Sequence, residues 1–194
     1  MGKSISYLME YSRGNTGLDR FGGLPSHLPH NWPRCQCGQE RLAFMGQIYA
    51  CDWFPLNGLL CLQFYTCVRR CLLDVDLLHV ELVHPGAPTN RRCEGVANPD
   101  LPVRTINYFA VEDSLDHGTF LGMISGEDPV WPVLKDEHLY SDRLGGIYTF
   151  DGTEGPVIDE SNRCIGQFQH PCIRRETIYL YESTKEGIYA HTYR

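Results

Sequence analysis

The sequence has no apolar run approaching the roughly 18 to 20 residues of a membrane-spanning helix. Its opening stretch, MGKSISYLMEYSRGN, lacks the apolar core of a signal peptide. The expectation is a cytoplasmic chain. Positive charge is also in short supply: 17 Lys and Arg face 24 Asp and Glu, for a formal net charge of −7. A general nucleic-acid binder needs a concentrated basic surface for its phosphate contacts, so that class is set aside. A partner selected by charge would be basic.

Catalytic signatures are missing as well. There is no G-x-S-x-G, no P-loop and no G-x-G-x-x-G. The string HVELVH (79–84) is not H-E-x-x-H, and strand alternation would send His79 and Glu81 to one face and His84 to the other. Cys93 lies between arginine and glutamate in NRRCEG, but pairing it with His117 as nucleophile and base follows no spacing rule. The expectation is a protein that is not an enzyme.

Sustained helical periodicity is scarce too. The best helical windows are 5–13 and parts of 112–125 and 133–142. Short aromatic and β-branched runs bounded by Gly, Pro or Asn predict strands instead: 44–50, 59–65, 77–83, 105–111, 146–150, 164–169, 177–183 and 187–193. With 42% apolar and 21% charged residues, the 194-residue chain is long enough for one sizeable core or two small lobes. Pro99 and Pro102 bracket a junction near its middle.

What is present in quantity is internal similarity. DRFGGLP (19–25) returns as DRLGGIY (142–148). The first copy is followed by Met45-Gly46-Gln47-Ile48 and then GLLCLQF (58–64); the second is followed by Ile165-Gly166-Gln167-Phe168 and then ETIYLYE (176–182). Three features recur in one order, which predicts a duplicated unit made of a Gly-Gly turn, an apolar-Gly-Gln-apolar strand and a partner strand. Paired glycines permit positive φ and close backbone approach. A glycine inside a strand marks a bulge or a close contact, and the glutamine after it is expected to satisfy backbone groups that the bulge leaves without a partner. The predicted fold class is therefore β-rich α+β, a single domain over 1–194 with few short helices, and with two similar β lobes over about 19–98 and 142–194.

Nine cysteines are many for a chain of this expected location, where clustered thiols hold metals more often than they form bridges. Cys35-Gln36-Cys37-Gly38 and Cys67-Val68-Arg69-Arg70-Cys71 form two close pairs about thirty residues apart. Four thiolates from two such turns match the tetrahedral preference of structural Zn²⁺ and leave no open position for an activated water. His27 and His30 offer a rival set with Cys35 and Cys37. Cys51, Cys61, Cys164 and Cys172 read as small buried apolar groups.

The stretch from Gly22 to Cys71 resembles the YwqG-like domain family, whose pattern runs from a Gly-Gly-x-Pro segment through Trp-Pro and a cysteine knuckle to a Gly-Leu-Leu-x-Leu-Phe-Tyr strand. Residues 142–194 resemble its second half. Cys-x-Cys stands here where Cys-x-x-Cys is usual. The resemblance implies a duplicated β-rich fold with no established catalytic activity, and it favours Cys67 and Cys71 as partners of Cys35 and Cys37. Some family members are immunity proteins that bind and block one cognate bacterial toxin, and a remote similarity to the programmed-cell-death-protein-2 type domain also points to protein interaction. The expectation is an immunity protein of a toxin–antitoxin type pair, the alternative being a zinc-stabilised scaffold or adaptor. Its expected contact residues are the acidic Asp113, Asp116, Glu127, Asp128, Asp151 and Glu154.

Overall fold

The structure, a computed structural model, describes residues 5–13, 17–35, 40–52, 54, 56–67, 78–112, 123–125, 162–169, 177–185 and 187–193. These residues are strand-rich: β1 (Ile5–Arg13), β2 (Arg20–Phe21), β3 (Ala43–Tyr49), β4 (Cys61–Thr66), β5 (Leu78–Val83), β6 (Arg104–Glu112), β7 (Met123–Ser125), β8 (Asn162–Gln169), β9 (Thr177–Ser183) and β10 (Gly187–Tyr193). The helical content among them is one 3-10 turn, Leu56–Gly58. No helix among the described residues is long and apolar enough to cross a membrane.

The predicted helix over 5–13 is a strand. Ile5, Tyr7, Met9 and Tyr11 alternate with Ser6, Glu10 and Ser12, so Leu8 alone breaks a period of two, and the two tyrosines favour extended backbone. Met123–Ser125, inside the second helical window, pairs with β1 as a strand (Ile5↔Ser125, Tyr7↔Met123). The window 133–142 and the predicted strand 146–150 lie outside the described residues. The other predicted strands are present, β9 and β10 with the predicted limits.

The chain divides into two compact units, Arg13–Thr105 and Met1–Ser12 with Ile106–Arg194. The division falls three residues after Pro102, the second of the two prolines that bracket the expected junction. In the Arg13–Thr105 unit the sheet order is β5-β4-β3-β2, with Arg104 and Thr105 on the far side of β2. β3 and β4 are buried along nearly their whole length, which is why they read as almost unbroken apolar runs. In the other unit β6, β1 and β7 are neighbours in that order, and β8, β9 and β10 form a three-stranded antiparallel sheet.

The β3–β4 pair and the β8–β9 pair share one irregularity. In β3 the register shifts between Phe44 and Gly46, leaving Met45 as the extra residue, after which Gly46 faces Phe64 and Gln47 faces Gln63. In β8 it shifts between Cys164 and Gly166, leaving Ile165 as the extra residue, after which Gly166 faces Leu180 and Gln167 faces Tyr179. Each pair then gains a third antiparallel strand. Tyr65 of β4 lies opposite His79 of β5, and Tyr181 of β9 lies opposite Tyr189 of β10. Both central tyrosines are buried and both meet the ring across the strand, at centroid distances of 6.3 Å and 5.4 Å. The connections differ: eleven residues, 67–77, separate β4 from β5, whereas three separate β9 from β10.

The Gly-Gly segment packs directly on the first of these bulges. Phe21, 1% exposed, lies across Gly46 so closely that a Cβ there would come within 2.4 Å of its Cδ1 and 2.8 Å of the Arg20 carbonyl oxygen. Gly22 has φ of +77° and sits where a Cβ would meet the carbonyl oxygens of Leu101 and Pro102 at 2.7 and 2.6 Å. Its N–H donates to the carbonyl of the bulge residue Met45 (2.8 Å).

Candidate functional site

Two groups of chemistry-bearing side chains form in the Arg13–Thr105 unit. The first is thiol-centred. Leu42 N–H donates to the Pro33 carbonyl and Cys35 N–H to the Glu40 carbonyl, both at 2.9 Å, and Arg34 forms a β-bridge with Arg41, so residues 33–35 pair back on 40–42 in a turn immediately before β3. Because β3 and β4 are antiparallel with Ala43 facing Thr66, this turn and Cys67 lie at the same end of the hairpin. Cys35 and Cys67 accordingly share one buried cluster with Leu42, Phe44 and Tyr65, with Trp32 packed against it. Trp32 meets Tyr65 edge-on (5.4 Å) and donates its indole N–H to the Leu42 carbonyl (2.8 Å).

Two of the four predicted zinc ligands are therefore brought together, one from each cysteine pair. Cys37 and Cys71 lie outside the described residues, and no group of three or more metal-binding side chains occurs among the described ones. Cys61 is buried in β4 beside Asp19; desolvation, reinforced by that carboxylate, pushes its thiol up to about 12. It stays protonated at neutral pH and is unsuited to metal binding or nucleophilic attack. Cys93 sits exposed in a turn with φ of +52°.

The second group is a polar one that sequence reasoning did not assemble. Gln47 and Gln63 are both fully buried and lie directly opposite each other across β3 and β4, so their side chains project from one face. Gln47 Oε1 accepts from the backbone N–H and the hydroxyl of Ser26, each at 3.0 Å, and its Nε2 donates to the Leu18 carbonyl (2.7 Å). Gln63 Nε2 donates to the His27 carbonyl (3.1 Å) and its Oε1 accepts from Tyr65 (2.9 Å). The expected task of Gln47, satisfying the bulge, is carried out by Gly22. Gln47 instead ties down the Gly-Gly segment on either side of its turn.

Above the two glutamines, Ser26 Oγ lies 3.0 Å from His27 Nδ1 and within hydrogen-bonding distance of Tyr49 Oη, which is itself 3.1 Å from His27 Nδ1. One proton arrangement fits three of these contacts: His27 Nδ1–H donates to Tyr49 Oη, Tyr49 O–H donates to Ser26 Oγ, and Ser26 O–H donates to Gln47 Oε1, with the Ser26 Oγ–His27 Nδ1 approach then carrying no proton of its own. These contacts engage Nδ1 and not Nε2, and a metal-bound histidine commonly uses its other ring nitrogen in this way, so they do not remove His27 from the rival zinc set with His30, Cys35 and Cys37. His30 is exposed.

Loss of the Gln47 anchor leaves the Leu18 carbonyl and Ser26 N–H without their partner in a half-buried setting, so Gln47→Ala is expected to lower unfolding free energy by about 2 kcal/mol. Urea denaturation checks this. Burial alone pushes His27 below its ordinary value of 6.5. The unfolded chain therefore protonates first as pH falls, and the stability that neutral His27 contributes is fully present above that value and lost below it. Lowering pH from about 7.5 to about 5.5 is expected to move the urea midpoint of wild type down more than that of His27→Gln, and equal shifts would exclude His27 as a source.

His79 and Glu81 do share a face of β5, as alternation predicted, and contact each other at 3.2 Å. The acidic contact residues Asp113, Asp116, Glu127, Asp128, Asp151 and Glu154, and His117 with them, lie outside the described residues. Against known proteins, no family model, no curated protein and no solved structure matches the chain.

Proposed function

We propose that this chain is a noncatalytic cytoplasmic binding protein of the YwqG-like type, most specifically an immunity protein that neutralises a basic toxin through its acidic segments. The observation that carries the reading is how the polar side chains of the Arg13–Thr105 unit are used. Gln47, Gln63, Asp19 and Asn90 bond to backbone groups of neighbouring segments and Arg20 to the backbone of its own, and Ser26, His27 and Tyr49 engage one another. Such a network fixes the shape of a surface rather than offering a nucleophile and base to a substrate. The formal charge of −7 suits a basic partner.

The scaffold in this reading is a duplicated three-stranded meander. The shared register shift one residue before Gly46 and Gly166 supports duplication, because independent hairpins have no reason to place the extra residue at the same point of the same motif. The first copy alone carries the long β4–β5 connection and the cysteine pairs. Structural Zn²⁺ held by Cys35, Cys37, Cys67 and Cys71 would clamp that connection to the turn before β3. The burial of Cys35 and Cys67 in one cluster supports this set.

Co-expression of the chain with the product of each adjacent gene tests the function. The expected result is relief of growth arrest and a stoichiometric complex with one of them. Neither protection nor complex with any neighbour would overturn the immunity reading.

A further inference from the structure

The Arg13–Thr105 unit carries nine arginines, no lysine and eight acidic residues, whereas the rest of the chain carries sixteen acidic residues against eight basic ones. The acidity that defines the chain as a whole therefore belongs to one unit. In the other, positive charge is supplied only by the side chain whose planar fork pairs bidentately with carboxylates and which recurs with tryptophan at interface centres.

Four of these arginines lie on the two segments that meet Trp32. Arg34 and Arg41 are bridge partners on the 33–42 turn, which Trp32 holds through its bond to the Leu42 carbonyl. Arg91 and Arg92 lie on a second turn closed by Asn90, whose side chain accepts from Glu94 N–H and donates to the carbonyls of Glu94 and Pro25. That turn meets the same indole: Gly95, φ +128°, lies against Trp32 so closely that a Cβ would clash with the ring, and the next residue, Val96, accepts the Phe44 N–H at 2.7 Å. All four arginines are exposed, and none has a side-chain hydrogen bond or ion pair among the described residues. Two carboxylates, Glu40 and Glu94, share the turns, leaving an excess of guanidinium groups around a half-buried indole.

We infer that the Trp32 face, bounded by Arg34, Arg41, Arg91 and Arg92, is a docking surface for an acidic segment of a partner protein. It is a second surface, opposite in sign to the acidic one proposed above, and rests on that reading only in taking the occupant to be a protein. A nucleic acid fits less well, since the chain's net charge of −7 repels a long polyanion, whereas a short Asp/Glu segment feels mainly the nearby guanidinium groups. Backbone bonds pair 33–35 with 40–42, and the Asn90 side chain bonds Glu94 and Pro25, which lowers the ordering cost of binding at these segments.

Fluorescence anisotropy with a labelled Asp/Glu-rich peptide of about twelve residues, a Lys-rich peptide and a single-stranded oligonucleotide of like length tests the inference. The acidic peptide is expected to bind, with Kd rising about tenfold between roughly 50 and 500 mM salt, and rising about tenfold again in Arg34→Glu/Arg91→Glu. Both residues are exposed, so thermal unfolding of that variant should match wild type. Lys185→Glu, the same reversal in the other unit, should leave Kd unchanged. Absence of acidic-peptide binding, equal binding by the double variant, or tighter binding of the oligonucleotide would overturn the inference. Because no neighbouring gene product enters the assay, such a failure leaves the immunity reading standing, and failure of that reading leaves this one.

Discussion

Replacing Phe21 by alanine is expected to lower the unfolding free energy by about 3 to 5 kcal/mol, and replacing Gly46 by alanine by about 2 to 3 kcal/mol. Combining them should cost clearly less than the sum of the two, the excess over Phe21→Ala being the clash with the Arg20 carbonyl that remains. The reason is that the two residues occupy one space. Phe21 lies over Gly46, so its loss opens a cavity against the buried part of β3, while a methyl group at Gly46 drives into its ring and into the Arg20 carbonyl oxygen. The second contact is with backbone, so side-chain adjustment alone does not relieve Gly46→Ala. In the double variant the ring clash is gone and the added methyl partly refills the cavity. A double-mutant cycle by urea denaturation measures this coupling; strict additivity would show that Phe21 and Gly46 do not compete for one space. If the chain is duplicated, Gly166→Ala should behave like Gly46→Ala, with Leu144 in the place of Phe21.

The same contact gives a physical reading of each residue in the repeated string. Asp19 accepts the Tyr49 N–H at 2.7 Å and Arg20 donates to the Leu24 carbonyl at 2.7 Å, closing the segment on itself and on the end of β3. Phe21 covers the glycine of the next motif. Gly22 and Gly23 both have φ of +77°, and Gly22 also leaves no room for a Cβ against Pro102. The same Asp-Arg-apolar-Gly-Gly string stands at 142–146, outside the described residues, and is followed by the later apolar-Gly-Gln, so the recurrence was legible as a sequence pattern without any structure. The strands of the three-stranded sheet were equally legible, being short aromatic runs between turn residues with no competing period.

Other features were hidden for identifiable reasons. In ISYLMEYSR, apolar residues at 5, 8 and 9 imitate a helical face, and the alternation that decides for a strand is interrupted at Leu8 alone. The roles of Gln47 and Gln63 depend on where a loop 21 to 36 residues upstream passes, which no local pattern encodes. A signal was nonetheless present: each is a polar residue inside a run otherwise apolar enough to be buried on both faces, and a buried amide needs partners. Ser26, His27 and Tyr49 meet only because β2 and β3 pair, bringing residues 22 and 23 positions apart together. The joining of Cys35 and Cys67, by contrast, followed from the hairpin between them, since the segment before β3 and the segment after β4 must emerge at one end.

That hairpin logic sets up the largest effect expected of the molecule. Zinc is expected at one atom per chain in protein purified without chelator, measured by elemental analysis, and its removal should unfold or strongly destabilise the Arg13–Thr105 unit. Structural zinc sites contribute about 10 kcal/mol or more of binding free energy, which becomes folding free energy where the apo ligands have no preformed site. Cys67→Ser removes a ligand placed in the same buried cluster as Cys35 and should abolish stoichiometric zinc, whereas Cys93→Ser, at an exposed turn, should change stability by no more than about 0.5 kcal/mol. Loss of stability in Cys67→Ser would by itself also follow from placing a hydroxyl in an apolar cluster. Chelator response separates the two causes: EDTA should lower the melting temperature of wild type and of Cys93→Ser but leave that of Cys67→Ser unmoved. A metal-free wild type, or one whose melting ignores chelator, would assign Cys35 and Cys67 to the core as small apolar groups.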